Sequence, residues 1–346
     1  MPSGSMGNNA DLQQRNHFLD VLKGICIIFI IITHFSWTAE ERLIFLFPFW
    51  IDMAVPIFMI ISGYAYSLSY TKKSINCIEK AYELGNIVNK MIRYTIPYII
   101  AFIIEQIAFI LMGITSVSVQ QIPIIGKSFL SGGIGPGSYY YPIMMQFIFM
   151  FPVIYFIIRK YQMKGVCICG CINAFYEILQ GAYEMNEDCY RLLVFRYILL
   201  VAVGCYLALY GYQVCKLSFI FFIIGIVFIV ATNYLNYLPF ILIYWTNTSF
   251  IACLYIIPII SYIISKCKEI RFVPLEILGR ASYNIFLTQM LYYVFGSGFL
   301  IERINNKNMC LLINITICCT IGLLFYYVEM PITKKISKWM HRAISI

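Results

Sequence analysis

Apolar segments close to the length of a bilayer crossing recur along the whole chain, and they constrain the fold more than any other feature. A transmembrane helix needs about 20 predominantly apolar residues. Of the 346 residues, 61% are hydrophobic and only 12% are charged, whereas about a quarter of the residues in a soluble domain are charged. The sequence therefore predicts an all-α polytopic membrane protein. About ten transmembrane helices are expected, at residues 19–37, 43–69, 93–113, 139–158, 165–182, 190–211, 216–233, 239–264, 281–300 and 309–329.

The distribution of lysine and arginine predicts which side of the membrane each loop faces, because cytoplasmic loops are enriched in both residues. With ten spans, the two termini lie on the same side. The segments on that side carry nineteen Lys and Arg residues and the opposite segments carry six, so both termini are predicted to be cytoplasmic. This bias and contact with anionic lipid account for the net charge of +9 without a nucleic-acid partner. The six residues expected outside are Arg42, Lys127, Arg191, Arg196, Arg303 and Lys307.

The chain is expected to form one transmembrane domain, residues 17–338, between two polar ends. Residues 1–16 are a polar N-terminal segment whose opening, MPSGSM, resembles a remnant of an expression vector. No cleavable signal peptide is expected, because this segment lacks the short apolar core of such a signal. Residues 339–346 are predicted to be a cytoplasmic tail. The connection at 114–138, which is rich in Gly and Ser, is predicted to lie outside.

Most of the thirteen cysteines lie inside apolar segments, where a thiol behaves as a small hydrophobic group. A cluster at Cys167, Cys169 and Cys171 has an alternative interpretation as a set of metal ligands. It lacks a fourth ligand at metal-site spacing, so we expect structural thiols and no metal.

The first span carries a basic residue at its start and an imidazole near its end. His34 lies eleven residues after Lys23, which corresponds to about 16 Å along a helix and to the same face within about 20°. Ordinary explanations exist for each residue alone: Lys23 as a snorkelling interfacial lysine, and His34 as an interhelical hydrogen bond of about 1 kcal/mol. An ionisable group inside a membrane is nevertheless a functional candidate.

The phrase around these two residues, LDVLKGICIIFIIITHF, resembles the first-helix signature of the acyltransferase-3 family of integral membrane acyltransferases. That signature has Arg, ten residues and then His. Here the spacing from Lys23 to His34 is kept, while Lys replaces Arg, which preserves the charge but loses the two-pronged guanidinium.

Further phrases resemble the same family in the same order along the chain. They are PIFMIISGYAYSLS at 56–69, KMIRYTIPY at 90–98, LGRASYNIFLTQ at 278–289 and YYVEMPITKKI at 326–336. In the third of these, Gln289 stands where the family commonly has His. The phrases span most of the chain, and their order makes the resemblance specific.

The resemblance implies transfer of an acyl group, most often acetyl, from cytoplasmic acetyl-CoA to a hydroxyl of an extracytoplasmic or membrane-embedded glycan. Acetyl-CoA would be a co-substrate, and no permanently bound cofactor is expected. Lys23, Lys90 and Arg93 are predicted on the cytoplasmic face, where cations can bind the donor's phosphates. His34 is the predicted catalytic residue, either as the base for the acceptor hydroxyl or as a carrier of the acyl group.

Five further polar residues are candidates for supporting roles. Glu105 either pairs with a cation or orients His34, or it is a protonated or helix-bonded carboxyl. Asp52 and Gln146 are candidates for the acceptor side, with a position at the outer interface as the alternative for Asp52. Glu329 is expected to form a structural ion pair with the basic cluster, and Gln289 is noted for its departure from the family pattern.

Two other functions fit part of the pattern. Ten spans with scattered polar residues are typical of a transporter, but the sequence has no duplicated half. A non-catalytic membrane module related to the family is the second alternative. We expect a multi-pass protein of a bacterial plasma (inner) membrane that contacts acetyl-CoA, a glycan acceptor and lipid.

The predicted orientation can be tested by labelling single cysteines in intact cells with a membrane-impermeant reagent, in a cysteine-depleted background. Ser131→Cys should react, because it lies in the segment predicted outside, whereas Lys73→Cys should not. The opposite labelling pattern would reverse the orientation and place His34 on the wrong side for a cytosolic donor.

Overall fold

The computed structural model describes residues 17–115, 118–212, 216–237, 244–298 and 303–344. The described chain is 80% helical and contains no strand, which confirms the predicted all-α class. The predicted N-terminal segment, residues 1–16, lies outside the described residues, as do parts of the connection at 114–138 and of the predicted span at 239–264.

Sixteen α-helices are described, and we number them in chain order. They are α1 (His17–Thr33), α2 (Ala39–Ile44), α3 (Ala54–Lys72), α4 (Ile78–Ala81), α5 (Leu84–Leu111), α6 (Ile122–Leu130), α7 (Tyr140–Tyr161), α8 (Met163–Ala182), α9 (Glu187–Leu192), α10 (Ile198–Tyr210), α11 (Lys216–Asn233), α12 (Phe250–Cys253), α13 (Ile256–Lys266), α14 (Val273–Arg280), α15 (Ser282–Phe295) and α16 (Lys307–Ile344). Short 3₁₀ turns occur at Phe47–Phe49, Val119–Gln121, Val194–Tyr197 and Thr246–Thr248.

Five helical segments among the described residues are long and apolar enough to cross a membrane. They are Phe47–Lys72, Ile78–Leu111, Tyr140–Tyr161, Met163–Ala182 and Lys307–Met340. Three more predicted spans correspond to shorter apolar helices, at Val194–Tyr210, Ser218–Asn233 and Phe250–Lys266. The first and ninth predicted spans correspond to α1 and α15. The chain is therefore a multi-pass membrane protein, and ten as the number of crossings stays a prediction.

Helix α1 lies at the centre of the fold and packs against α3, α14, α15 and α16. Its apolar side chains are largely buried, with Ile27 and Ile31 fully enclosed. A second close pair, α3 and α10, packs beside it, and α10 in turn contacts α7 and α8. Helix α1 is apolar on all sides because it has protein neighbours on several sides.

Two glycines allow α1 and α14 to touch along their backbones. A Cβ atom built on Gly279 would lie 1.8 Å from the backbone oxygen of Asp20, and one on Gly24 would lie 2.3 Å from that of Leu275. Such close approach is possible only without side chains at the crossing. The contact brings the phrases LKGIC and LGRAS, which lie far apart in sequence, into direct apposition.

We predict that Gly279→Ala destabilises the protein, because the new methyl group overlaps the backbone of α1. Overpacking of this kind costs about 1–3 kcal/mol, which thermal unfolding of the detergent-purified protein would register as a lower midpoint. Gly85→Ala is the matched control: it lies in α5, and a Cβ there meets nothing within 4 Å. Equal midpoints for the two variants would show that the α1–α14 contact tolerates a side chain.

Candidate active site

A cavity of about 490 Å³ opens beside the start of α1, where Lys23 forms part of its wall. Three more basic side chains line the same cavity, Arg93, Arg280 and Lys334, together with Asp20 and Glu329. Lys23 pairs with Asp20 at 3.6 Å between Nζ and Oδ1. The cavity therefore has four positive groups against two negative ones, an arrangement suited to an anionic ligand.

The α1–α14 contact positions Arg280 at this cavity. Arg280 follows Gly279 directly, so the close approach of Gly279 to Asp20 carries the arginine to the same wall as Lys23. At the first turn of α1, His17 Nδ1 lies 2.7 Å from Glu276 Oε2. This hydrogen bond lowers the pKa of the Glu276 carboxyl below its usual value, which favours a charged anchor between the two helices.

Lys90 lies behind this cavity and does not form part of its described wall. Its Nζ donates a hydrogen bond to Tyr70 Oη at 3.0 Å and lies 4.7 Å from the centre of the Tyr66 ring. Tyr66 itself lines the cavity. Of the three predicted donor-binding cations, the structure thus brings Lys23 and Arg93 to one cavity and separates Lys90 from it by an aromatic ring.

His34 lines a second cavity, of about 400 Å³, at the other end of α1. The helix ends at Thr33, and the backbone N–H of His34 still donates to Ile30 O at 3.3 Å, so the backbone of His34 continues the last turn. We call this the outer cavity and the one at Lys23 the inner cavity. Other residues on the wall of the outer cavity include Arg42, Asp52, Gly137, Tyr139, Arg191, Tyr197, Trp245, Asn247 and Thr248.

Asp52 lies on the wall of the outer cavity in a network of hydrogen bonds. Arg42 Nη2 donates to its Oδ1 at 2.7 Å and Asn247 Nδ2 donates to its Oδ2 at 3.1 Å. Arg42 also donates to Thr33 O at 3.2 Å, which ties the end of α1 to the carboxylate. The charge of Asp52 is therefore balanced locally, and the network connects three separate segments of the chain around His34.

A small cavity of about 20 Å³ lies between the inner and outer cavities. Its wall includes Phe58, Tyr140 and Tyr283, which also line the inner cavity, and Ile30, which also lines the outer one. Lys23, Ile27, Ile30 and His34 follow one another at helical spacing along the same face of α1. The face predicted from the spacing of Lys23 and His34 thus borders all three cavities.

Glu105 holds a glycine-rich loop against the outer cavity. The carboxyl is only 3% exposed, and its Oε2 accepts a hydrogen bond from the backbone N–H of Ile134 at 3.0 Å. Three residues later, a Cβ on Gly137 would lie 3.8 Å from His34 Nε2 and 2.8 Å from Phe286. Glu105 forms no ion pair with a described residue; its Oε1 accepts from Gln106 Nε2 at 3.2 Å, and its Oε2 holds the loop that passes beside His34.

The other three candidates occupy different places. Gln146 lies away from the described cavity walls and ties α7 to the end of α9 and the turn that follows. Its Nε2 donates to Leu192 O at 2.7 Å, and its Oε1 accepts from Val194 N at 3.2 Å. Gln289 is fully buried, and neither polar atom of its amide has a hydrogen-bond partner among the described residues. Glu329 was expected to form an ion pair, but it forms none with a described residue. It accepts hydrogen bonds from Asn284 and Thr333 on the wall of the inner cavity.

Sequence reasoning missed most of the polar residues around both cavities. Arg280 lies inside a quoted phrase, but no spacing rule places it near Lys23. Arg42 and Arg191 carry no signal in the sequence beyond their predicted position outside the membrane, and Asn247 lies inside the predicted span at 239–264. On α8, Cys169 is buried whereas Cys167 and Cys171 are exposed, so the three thiols do not share one environment.

Comparison with known proteins gives one match. A family model described as an acyltransferase domain matches residues 16–328, nearly the whole chain. Among the curated proteins and the solved structures, none matches.

Proposed function

This chain belongs to the acyltransferase-3 family and is a membrane acyltransferase, and we propose that it moves an acetyl group from cytoplasmic acetyl-CoA to a hydroxyl of a cell-envelope glycan. One observation carries the proposal: a single face of α1 borders a cationic cavity at Lys23 and a second cavity at His34. We further propose a bacterial plasma membrane as the location, with the inner cavity on the cytoplasmic side.

The inner cavity fits the phosphates of coenzyme A. Lys23, Arg93, Arg280 and Lys334 offer both compact ammonium groups and planar guanidinium groups, which bind phosphate oxygens through charged hydrogen bonds. Asp20 and Glu329 reduce the positive charge of the same wall but leave it net positive. A test of donor binding should therefore neutralise the basic residues one at a time. Lys90 supports Tyr66 from behind the wall and would act on the donor indirectly.

The small cavity between the other two would carry the pantetheine arm. Lys23 and His34 are about 16 Å apart along the helix, a distance that a long, narrow arm can span while its phosphates stay at the inner cavity. At about 20 Å³ this cavity is too small to hold the arm. Rotation of Phe58, Tyr140 or Phe286 would have to widen it when the donor binds.

At the outer cavity, His34 would act as the general base. Its imidazole takes the proton of the acceptor hydroxyl while the hydroxyl oxygen attacks the thioester carbonyl. The C–S bond then breaks, and the coenzyme A thiolate recovers the proton from the imidazolium. In the alternative, the His34 imidazole attacks the thioester carbonyl and the coenzyme A thiolate leaves. The acceptor hydroxyl then attacks the acyl-imidazolium, which frees the imidazole, and the hydroxyl proton passes to the thiolate. A side chain at position 137 would press on Phe286 beside His34, since a Cβ there would lie 2.8 Å from the Phe286 ring.

A transporter and a non-catalytic module are the competing functions. Incubation of the purified protein with acetyl-CoA, with and without envelope glycan, separates them from the enzyme. We expect coenzyme A release that depends on the glycan, together with acetyl groups on the glycan. Acetyl-CoA that remains intact with every glycan fraction of the source cell would contradict the proposed function.

We predict that Lys23→Ala and Arg280→Gln each raise the apparent KM for acetyl-CoA, because each removes a charged contact worth about 1.5–3 kcal/mol. The KM of each variant should also depend less steeply on salt concentration than that of the wild type. Lys23→Arg should be tolerated, because it keeps the charge.

Lys73→Gln is the matched control for these variants, since Lys73 lies on the predicted cytoplasmic side and binds Asn86 away from the inner cavity. Its KM should equal that of the wild type. If Lys23→Ala leaves donor affinity unchanged, the donor does not bind at the inner cavity.

We predict that His34→Ala lowers turnover by about 10²–10⁴-fold, the usual contribution of a general base. Acetyl-CoA binding should persist, because the phosphate contacts lie about 16 Å away along the helix. Turnover and donor affinity should be measured on the same purified variant. His341→Ala, which removes an imidazole near the C-terminal end of α16, is the control. Turnover of His34→Ala within a few-fold of the wild-type rate would reduce His34 to a packing residue.

A further inference from the structure

The outer cavity has features of a binding site for a sugar. Tyr139, Tyr197 and Trp245 form aromatic wall, and aromatic faces are favourable partners for the C–H faces of a sugar ring. Asn247 donates through Nδ2 to Asp52, while its buried Oδ1 has no hydrogen-bond partner among the described residues. That oxygen can accept a hydrogen bond from a ligand hydroxyl.

Trp245 is held in an unusual backbone conformation at this wall. Its φ of 56° lies in the left-handed region, which is costly for a bulky residue and tends to occur where function requires it. Two contacts keep the indole in place: Nε1 donates to Glu187 Oε1 at 2.8 Å, and the ring meets that of Tyr139 edge-on at 4.9 Å. The indole face is therefore preset before any ligand binds.

Two arginines lie at or behind this wall. Arg191 lines the outer cavity. Arg196 is 1% exposed and lies against the rings of Tyr197 and Trp245, at 4.8 and 4.6 Å from their centres. Its Nη2 donates to Thr248, while Nε and Nη1 have no hydrogen-bond partner among the described residues. A guanidinium so deeply buried and so incompletely paired raises the positive potential of the wall.

The acidic groups around the cavity offset these charges only in part. Asp52 is balanced by Arg42. Asp188 pairs with Arg191 at 3.0 Å, but its side chain is 74% exposed, so solvent weakens the pairing. Glu187 is also exposed. Glu177 is buried behind the wall and accepts from Phe250 N, and it interacts electrostatically with Arg196 without a salt bridge to a described residue.

From these contacts we infer that the acceptor sugar carries a negative group, a carboxylate or a phosphate, and that Arg191 binds it while Trp245 stacks on the ring. The inference rests on the proposed function, because it assigns the outer cavity to the acceptor. Arg191 is the specificity-determining residue: its guanidinium offers a two-pronged contact to either anion. Arg196 contributes through its charge from behind the aromatic wall.

The test is calorimetric binding of three matched ligands to the purified protein without acetyl-CoA. They are methyl β-glucoside, methyl β-glucuronide and methyl β-glucoside 6-phosphate. One or both anionic ligands should bind the wild type at least about tenfold more tightly than the glucoside, the usual weight of a charged hydrogen bond. The stronger of the two identifies carboxylate or phosphate as the natural group.

Arg191→Gln should remove this preference, and Asp188→Asn should strengthen it, because the first variant loses the cation and the second releases it from its partner. Lys127→Gln is the matched control, an exposed cation on α6 away from the described cavity wall, and it should keep the preference. Equal binding of the three ligands, no binding of any, or a preference that survives in Arg191→Gln would overturn the inference. Glycan-dependent release of coenzyme A is measured separately, so a failure of the proposed function is recognised independently.

Discussion

The contact between the backbones of α1 and α14 is the constraint on which the wall of the inner cavity depends. Gly24 and Gly279 remove the side chains that would hold the two helices apart, and His17 pairs with Glu276 at one end of the same interface. Within a bilayer, where apolar side chains gain little by leaving lipid, such close van der Waals packing is a main source of helix association. Because α14 leads directly into α15, the same contact positions the wall of the inner cavity and also Tyr283, which lines the small cavity beside it.

One helix face links the two halves of the site. A soluble enzyme can bring its substrates together in one cleft, but the two substrates proposed here lie on opposite sides of a membrane. A helix with a cation at one end and an imidazole at the other keeps a nearly constant distance between these two groups. The aromatic residues around Phe58 and Tyr283 narrow the passage between them, so that neither side is openly connected to the other.

Buried polar groups in this protein serve loops and walls more often than ion pairs. Glu105 binds a backbone N–H of the glycine-rich loop, Gln146 bridges three backbone groups, and Glu329 binds an amide and a hydroxyl. Such contacts suit an apolar environment, where an unsatisfied polar group is costly. Glu105 and Gln146 thus hold chain segments against α5 and α7, and Glu329 joins α15 to α16 beside the inner cavity.

The sequence alone determined the helical membrane class, the family and the shared face of Lys23 and His34, because apolar length and helical spacing are local properties that survive any packing. The tertiary structure decided which other residues meet there. Arg280 lies near Lys23 only because glycines let α1 and α14, which are far apart in sequence, touch. Lys90 lies behind the ring of Tyr66, and a loop places Trp245 on the wall of the cavity that His34 lines. Spacing along one helix could not predict these positions, since each depends on how separate helices cross and where their loops fold back.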